Sequence, residues 1–199
     1  MKIAVLCSGN GTNLQSIIDN VKSGYIPAEI TLVVSDNKDA YALVRAKEAG
    51  IDTLVVDDKG RKPREELDKD IVKWLKKKGV ELVALAGYMR LLSPYFIREY
   101  KDKVINIHPA LLPSFKGAHG IKDALEHGSK VTGVTVHFVT DKLDDGPIIL
   151  QKPVEVKEND NEETLLERVH REEHKLYPEA IRLFALGKLK IEGRRVEVI

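Results

Sequence analysis

Apolar residues along this chain follow two alternating rhythms. Short β-branched runs stand at Ile3–Leu6, Ile30–Val34, Thr53–Val56, Leu82–Ala86 and Val104–His108 and predict strands. Between them the spacing lengthens. Leu14, Ile17, Ile18 and Val21 fall at i, i+3, i+4 and i+7, one face of an amphipathic helix. Tyr41–Ala49 predicts a second helix, stopped by Gly50. Pro63–Lys78 predicts a third, with proline at its start and Gly79 beyond its end. Ser93–Tyr100 predicts a short fourth, with Pro94 in its first turn. Such alternation predicts an α/β fold with a mostly parallel, Rossmann-like sheet and helices on both faces.

The second half changes pattern. Residues 109–120 hold two prolines and two glycines and predict a loop, and Ile121–His127 reads as a helix. Val131–Val139 and Ile148–Val156 predict strands joined by an Asp-rich turn. Asp160 and Glu163 have the spacing of a capping box for a long helix to about Leu186, which Pro178 should kink. Residues 188–199 suit a terminal hairpin. With no internal repeat and no low-complexity linker, residues 1–199 are expected to form a single domain.

Charge then narrows the partners. Lys and Arg total 32 against 31 Asp and Glu, a net charge of +1, which argues against nucleic acid or a membrane surface as partner. The apolar run at residues 2–8 meets glycines at once, unlike a signal peptide, and no run is long enough to span a bilayer. A single cysteine, Cys7, excludes an internal disulfide and fits a reduced, cytoplasmic setting. Its place at the end of an apolar strand suggests a buried thiol.

Two stretches carry chemistry. Asn106 and His108, two apart in a strand, face the same side, and Pro109 should end the strand there. Both polar groups then lie at a strand's carboxyl end, where open α/β sheets bind ligands. Asp144, in the later Asp-rich turn, completes a carboxamide, an imidazole and a carboxylate, parts that can move an acyl group without a metal. No metal-ligand spacing, such as His-x-x-x-His or paired cysteines, is present. Ser8-Gly9-Asn10-Gly11-Thr12-Asn13 joins the first strand to the first helix, and glycines ahead of a helix N-terminus favour a phosphate. Leu14 stands where a dinucleotide fingerprint needs a small residue, and no Gly-Lys-Ser/Thr follows, so one phosphate monoester fits better than a pyrophosphate.

Gly9-Asn10-Gly11-Thr12-Asn13, Ala86-Gly87-Tyr88-Met89-Arg90, Asn106-Ile107-His108-Pro109 with Leu111-Leu112-Pro113, and Leu143-Asp144-Asp145-Gly146-Pro147 together resemble the folate-dependent phosphoribosylglycinamide formyltransferases. The resemblance covers nearly the whole chain in order and spacing. It implies a formyltransferase fold with a phosphate-binding half (1–108) and a folate and catalytic half (109–199). It implies metal-free transfer of a formyl group from 10-formyltetrahydrofolate to the amine of glycinamide ribonucleotide in purine synthesis. On that basis Asn106, His108 and Asp144 would be catalytic. Gly11, Thr12 and Asn13, with His170, Arg171, Glu172 and Glu173, would hold the ribonucleotide. Arg64, Met89, Arg90, Leu91, Leu92 and Asn106, with Thr140, Asp141, Lys142, Leu143 and Asp144, would meet the folate. The expected partners are these two small molecules.

Amine attack on a formyl carbon makes a tetrahedral intermediate whose oxyanion needs donors. Asn106 and a protonated His108 would supply them, with Asp144 favouring the charged imidazole. Asp145 departs from the family pattern by adding a charge beside Asp144. His137 reads as structural, His119 as an assisting or solvated loop residue. Glu173 falls on an apolar helix face with Leu166, Val169, Leu176, Ala180 and Phe184, where a carboxylate needs a partner.

Four alternatives are distinguishable. Formyltetrahydrofolate hydrolase has the same core behind an N-terminal regulatory domain, whereas this chain opens on its first strand. Methionyl-tRNA formyltransferase adds a C-terminal nucleic-acid domain, whose basic patches are not expected at this charge. Leu14 argues against a nicotinamide dehydrogenase using Asp36. A non-catalytic binding protein would leave Asn106, His108 and Asp144 idle.

Overall fold

The computed structural model describes residues 1–56 and 63–199. These form two compact units, Met1–Ile105 and Asn106–Ile199. The first holds β1 (Lys2–Cys7), α1 (Thr12–Lys22), β2 (Glu29–Ser35), α2 (Tyr41–Glu48), β3 (Thr53–Val55), α3 (Arg64–Lys78), β4 (Leu82–Leu85) and α4 (Pro94–Glu99). Its strands lie in the order β3-β2-β1-β4, all parallel. Ile3 to Leu6 are fully buried, as the near-continuous apolar runs of a parallel sheet require. Helix α1 packs on α2, and α3 on α4. Register pairs Cys7 with Ser35 and Leu6 with Leu85, so three strands end at one level and the loops that follow them share an edge. Helix α3 starts after Pro63 and stops at Gly79, whose φ of 68° suits a residue without Cβ.

The strand β5 (Val104–His108) crosses into the second unit, which continues with α5 (Gly120–Glu126), β6 (Val131–Phe138), β7 (Ile148–Glu155), α6 (Glu162–Ala185), β8 (Leu189–Glu192) and β9 (Arg195–Val198). Strand β6 lies between β5 and β7, pairs antiparallel with β7, and is irregular between Val136 and His137. The terminal hairpin forms as the sequence predicts.

Two expectations are corrected. The capping box of α6 is Asn161 with Thr164: Thr164 N–H donates to Asn161 Oδ1 at 2.9 Å, and Asn161 N–H to Thr164 Oγ1 at 3.0 Å. Asp160 is instead gripped by the Arg168 fork, with both bonds at 2.8 Å. Helix α6 runs continuously through the buried Pro178. Its buried face is Leu165, Val169, Glu173, Tyr177, Ala180 and Ile181, whereas Leu166 is exposed.

Candidate functional site

In the second unit β5 and β6 carry two pairs of polar side chains. Asn106 and His108 lie two apart on β5, and Thr135 and His137 two apart on β6, so each pair shares a face. The irregularity beside His137 is the kind of local bend that re-aims a side chain. Asp144 joins from the β6–β7 turn, with φ at 45°, a left-handed conformation that Asp tolerates better than most residues. The turn needs glycine at 146, because a Cβ there would lie 1.7 Å from Phe138 O. Phe138 N–H in turn donates to Pro147 O at 2.9 Å.

His108 Nδ1 lies 3.6 Å from Asp144 Oδ2, and His137 Nε2 lies 3.7 Å from Asp144 Oδ1. His137 Nδ1 is 2.8 Å from Phe138 O. A carbonyl only accepts, so Nδ1 carries the proton and Nε2 of the neutral ring is an acceptor. Asn106 Nδ2, at 3.3 Å, donates to it, which fixes which way the carboxamide faces. His108 Nε2 donates to Phe115 O at 2.7 Å by the same logic. His137, which reads as structural in the sequence, thus holds the Asn106 carboxamide and lies beside Asp144. A strand histidine has no distinguishing pattern, and only its two-residue spacing from Thr135 hinted at a shared face.

The loop 109–120 is tied to this cluster. Thr135 Oγ1 donates to Ala110 O at 2.7 Å and accepts from Leu112 N–H at 3.0 Å, while Gln151 Nε2 donates to Leu112 O at 2.9 Å. Gly117 N–H donates to Asp144 Oδ2 at 2.8 Å. His119 is exposed and precedes α5 as its N-cap.

Burial is the largest influence on His108 and favours the neutral ring; the Asp144 charge and Phe115 O oppose it, and the net shift is downward. The imidazole is thus held below its ordinary value, although Asp144 favours the charged ring as expected. Asp144 is also pushed up by burial, but the His137 ring, Gly117 N–H and His108 together outweigh that, leaving it an ionised carboxylate. Asp145 does not load its charge on Asp144. Lys116 at 2.6 Å and Arg194 at 3.0 Å hold it, lowering its carboxyl to about 2.

In the first unit the Ser8–Asn13 loop follows the carboxyl end of β1. Gly11 caps α1 with φ at 77°, and a Cβ there would lie 2.7 Å from Ala42 Cβ, so both backbone and space demand glycine. The first intrahelical bond is Gln15 N–H to Gly11 O at 2.9 Å. Amides before that point have no helical acceptor and form the positive end of the dipole, which suits an anion. Ser8 N–H donates to Gly87 O at 3.0 Å, and Met89 N–H to Ser8 Oγ at 2.8 Å, so the loop is bonded to the one after β4. Cys7 is buried and its thiol is pushed up to about 12 by burial and then by Asp36, leaving it unreactive.

Met89 and Leu91 are exposed, 70% and 55%, an apolar surface open to a ligand. Arg90 and Leu92 are part-buried beside them, and Arg64 opens α3. The sequence reading did not single out Asp68, which is buried and accepts from Ser93 N–H at 2.5 Å. Burial raises its carboxyl, while Ser93, Arg90 and Arg64 oppose that. Its period on α3 is that of a core position, the signal available beforehand.

In the second unit Asp141, Lys142 and Leu143 are exposed and Thr140 is part-buried. On α6, Glu173 is buried, 3.9 Å from His170 Nε2, while Arg171 is exposed and pairs with Glu167 at 2.8 Å. Glu172 pairs with Lys175 at 2.7 Å. Among the described residues, no group of three or more His, Cys, Asp or Glu is placed to hold a metal. No helix among them is long and apolar enough to cross a membrane.

An α/β fold that sets a part-buried carboxamide and a buried imidazole at the end of a strand, beside a carboxylate from a turn, has the chemistry of an acyl-transfer protein. The formyl transferase family profile matches residues 1–181, and the chain belongs to that family. It is 44% identical over 191 residues to phosphoribosylglycinamide formyltransferase of Escherichia coli (strain K12), covering 96% of this chain and 90% of that protein. It is 47% identical to the trifunctional purine biosynthetic protein adenosine-3 of Gallus gallus over 96% of this chain, but spans only 19% of that longer protein. Among solved structures, glycinamide ribonucleotide transformylase 1 from Symbiobacterium toebii superposes with a TM-score of 0.98 at 50% identity, covering 100% of this chain and 94% of that one.

Proposed function

We propose that this chain is a phosphoribosylglycinamide formyltransferase, moving a formyl group from 10-formyltetrahydrofolate to the amine of glycinamide ribonucleotide. The observation that carries this is the convergence of Asn106, His108 and Asp144 in a member of the formyl transferase family. One Asn106 Nδ2 proton is held by His137; the other is assigned to the formyl oxygen as it becomes negative. His108 holds Nε2–H as a neutral donor, and that proton must leave Phe115 O to serve the substrate. As charge builds on the formyl oxygen, the protonated ring becomes favourable, and Asp144 beside Nδ1 stabilises it. The amine loses one proton and the folate nitrogen gains one, so no net proton is consumed; His108 is assigned the delivery.

The ribonucleotide phosphate is assigned to Gly11, Thr12 and Asn13, and its remaining contacts to His170, Arg171, Glu172 and Glu173. A buried Glu173 carboxylate is suited to ribose hydroxyls. The folate is assigned to Arg64, Met89, Arg90, Leu91, Leu92 and Asn106, with Thr140, Asp141, Lys142, Leu143 and Asp144. The exposed Met89, Leu91 and Leu143 fit an apolar ring system. We assign all of this to one formyltransferase domain over residues 1–199.

A steady-state assay follows folate product with and without glycinamide ribonucleotide. Ribonucleotide-dependent turnover is expected. Formate release without it would make the chain a hydrolase, and no turnover with both ligands bound would make it a binding protein.

A further inference from the structure

Helix α2 grips the glycine loop at three points. Ala42 N–H donates to Gly9 O at 3.1 Å. Ala42 also fills the space a Cβ at Gly11 would need. Arg45, one turn on, donates from Nε to Asn10 O at 2.9 Å and from Nη2 to Asn10 Oδ1 at 3.0 Å. Its third nitrogen, Nη1, reaches Gln15 Oε1 at 3.2 Å, and Gln15 Nε2 donates on to Asp19 at 2.9 Å. The guanidinium also lies over the Tyr41 ring, 4.9 Å from its centroid. One planar cation thus fixes both the backbone and the side chain of Asn10, immediately before the left-handed Gly11, and the first turn of α1 just beyond. A lysine has neither the fork nor the ring stacking.

We propose that Arg45 is a positioning residue for the anion-binding loop, holding Asn10 so that the Gly11–Asn13 turn is preset for the substrate phosphate. This rests on the reading of that loop as the phosphate site. A loop ordered before the ligand arrives loses less entropy on binding. The cation behind the loop also adds positive potential without touching the phosphate.

The test compares Arg45→Ala and Arg45→Lys with Asn13→Ala, using the ribonucleotide, its phosphate-free riboside, and inorganic phosphate as competitor. For Arg45→Ala the KM for ribonucleotide and the inhibition constant of inorganic phosphate should each rise about tenfold. Its saturating kcat and folate KM should stay within about twofold, and its KM for the riboside should match the wild type. Arg45→Lys, keeping charge but not the fork, should fall between. An equal KM rise for the riboside would show general loosening and overturn the proposal. An unchanged ribonucleotide KM in Arg45→Ala, with a raised one in Asn13→Ala, overturns the role of Arg45 alone. If neither variant changes, the phosphate reading of the loop falls, and this inference with it. Should Arg45→Ala fail to fold, Arg45→Lys and Asn10→Ala carry the same comparison.

Discussion

Replacing Asp144 by asparagine removes a charge with little change of shape, and the structure sets the size of the effect. Asp144 Oδ2 lies 3.6 Å from His108 Nδ1. Two unit charges at that distance attract by about 1 kcal/mol in water and about 5 kcal/mol at the effective dielectric of a partly buried pair. If the imidazole becomes charged only as the reaction proceeds, this attraction acts mainly in the transition state. Its loss lowers kcat by roughly tenfold at the lower limit and a few thousandfold at the upper. Because both groups are buried, about 10²–10³-fold is expected, within the usual range for general acid–base groups. The assay is single-turnover formyl transfer at saturating ligands, with His108 followed by NMR titration in the free protein. The titration of His108 should begin below the ordinary histidine range and move lower still in Asp144→Asn, since the Asp144 charge is what opposes burial. Turnover within threefold of wild type, or an upward move of the His108 titration, would refute the reasoning.

Three further predictions follow from the same geometry. His137→Ala removes the acceptor that orients Asn106; it should lower kcat by ~10–100-fold, less than loss of an oxyanion donor, and add little to Asn106→Ala because the two act as a unit. Gly11→Ala combines a left-handed φ of 77° with a Cβ 2.7 Å from Ala42 Cβ. Left-handed strain of ~1–2 kcal/mol and overpacking of ~1–3 kcal/mol should together lower stability by about 2–5 kcal/mol in denaturant unfolding, and an unchanged midpoint would contradict this. Asp145, held at about 2 by Lys116 and Arg194, has a folded value below that of an ordinary aspartate. Its ion pairs therefore stabilise the fold above pH ~4 and are lost as the pH falls from ~4 towards ~2. A Tm advantage of wild type over Asp145→Asn at neutral pH should vanish by about pH 2, and a constant difference would rule the ion pairs out as its source.

Most of the architecture was legible in the chain because periodicity records which face of an element is buried. The strand Val104–His108 and the start of α2 at Tyr41 match to the residue, and most other boundaries lie within one or two positions. The misses are local competitions between chemically similar groups. Asp160 and Asn161 are both good caps; Arg168, eight residues on, takes the first and leaves the second for Thr164. Leu165 and Leu166 are both leucine, and packing alone decides which is buried.

By itself the sequence determined the parallel α/β scaffold, the glycine required before α1, and the shared face of Asn106 and His108. Each follows from backbone geometry and nearby residues. The tertiary structure decided what those groups do to one another. It brings His137 to Asn106 across 31 residues, sets Lys116 and Arg194 on Asp145, and folds Arg45 onto Asn10. It also lets burial outweigh the Asp144 charge at His108. Charge state and orientation depend on distance and on exclusion of water. Those are set when distant segments pack, and no spacing along the chain encodes them.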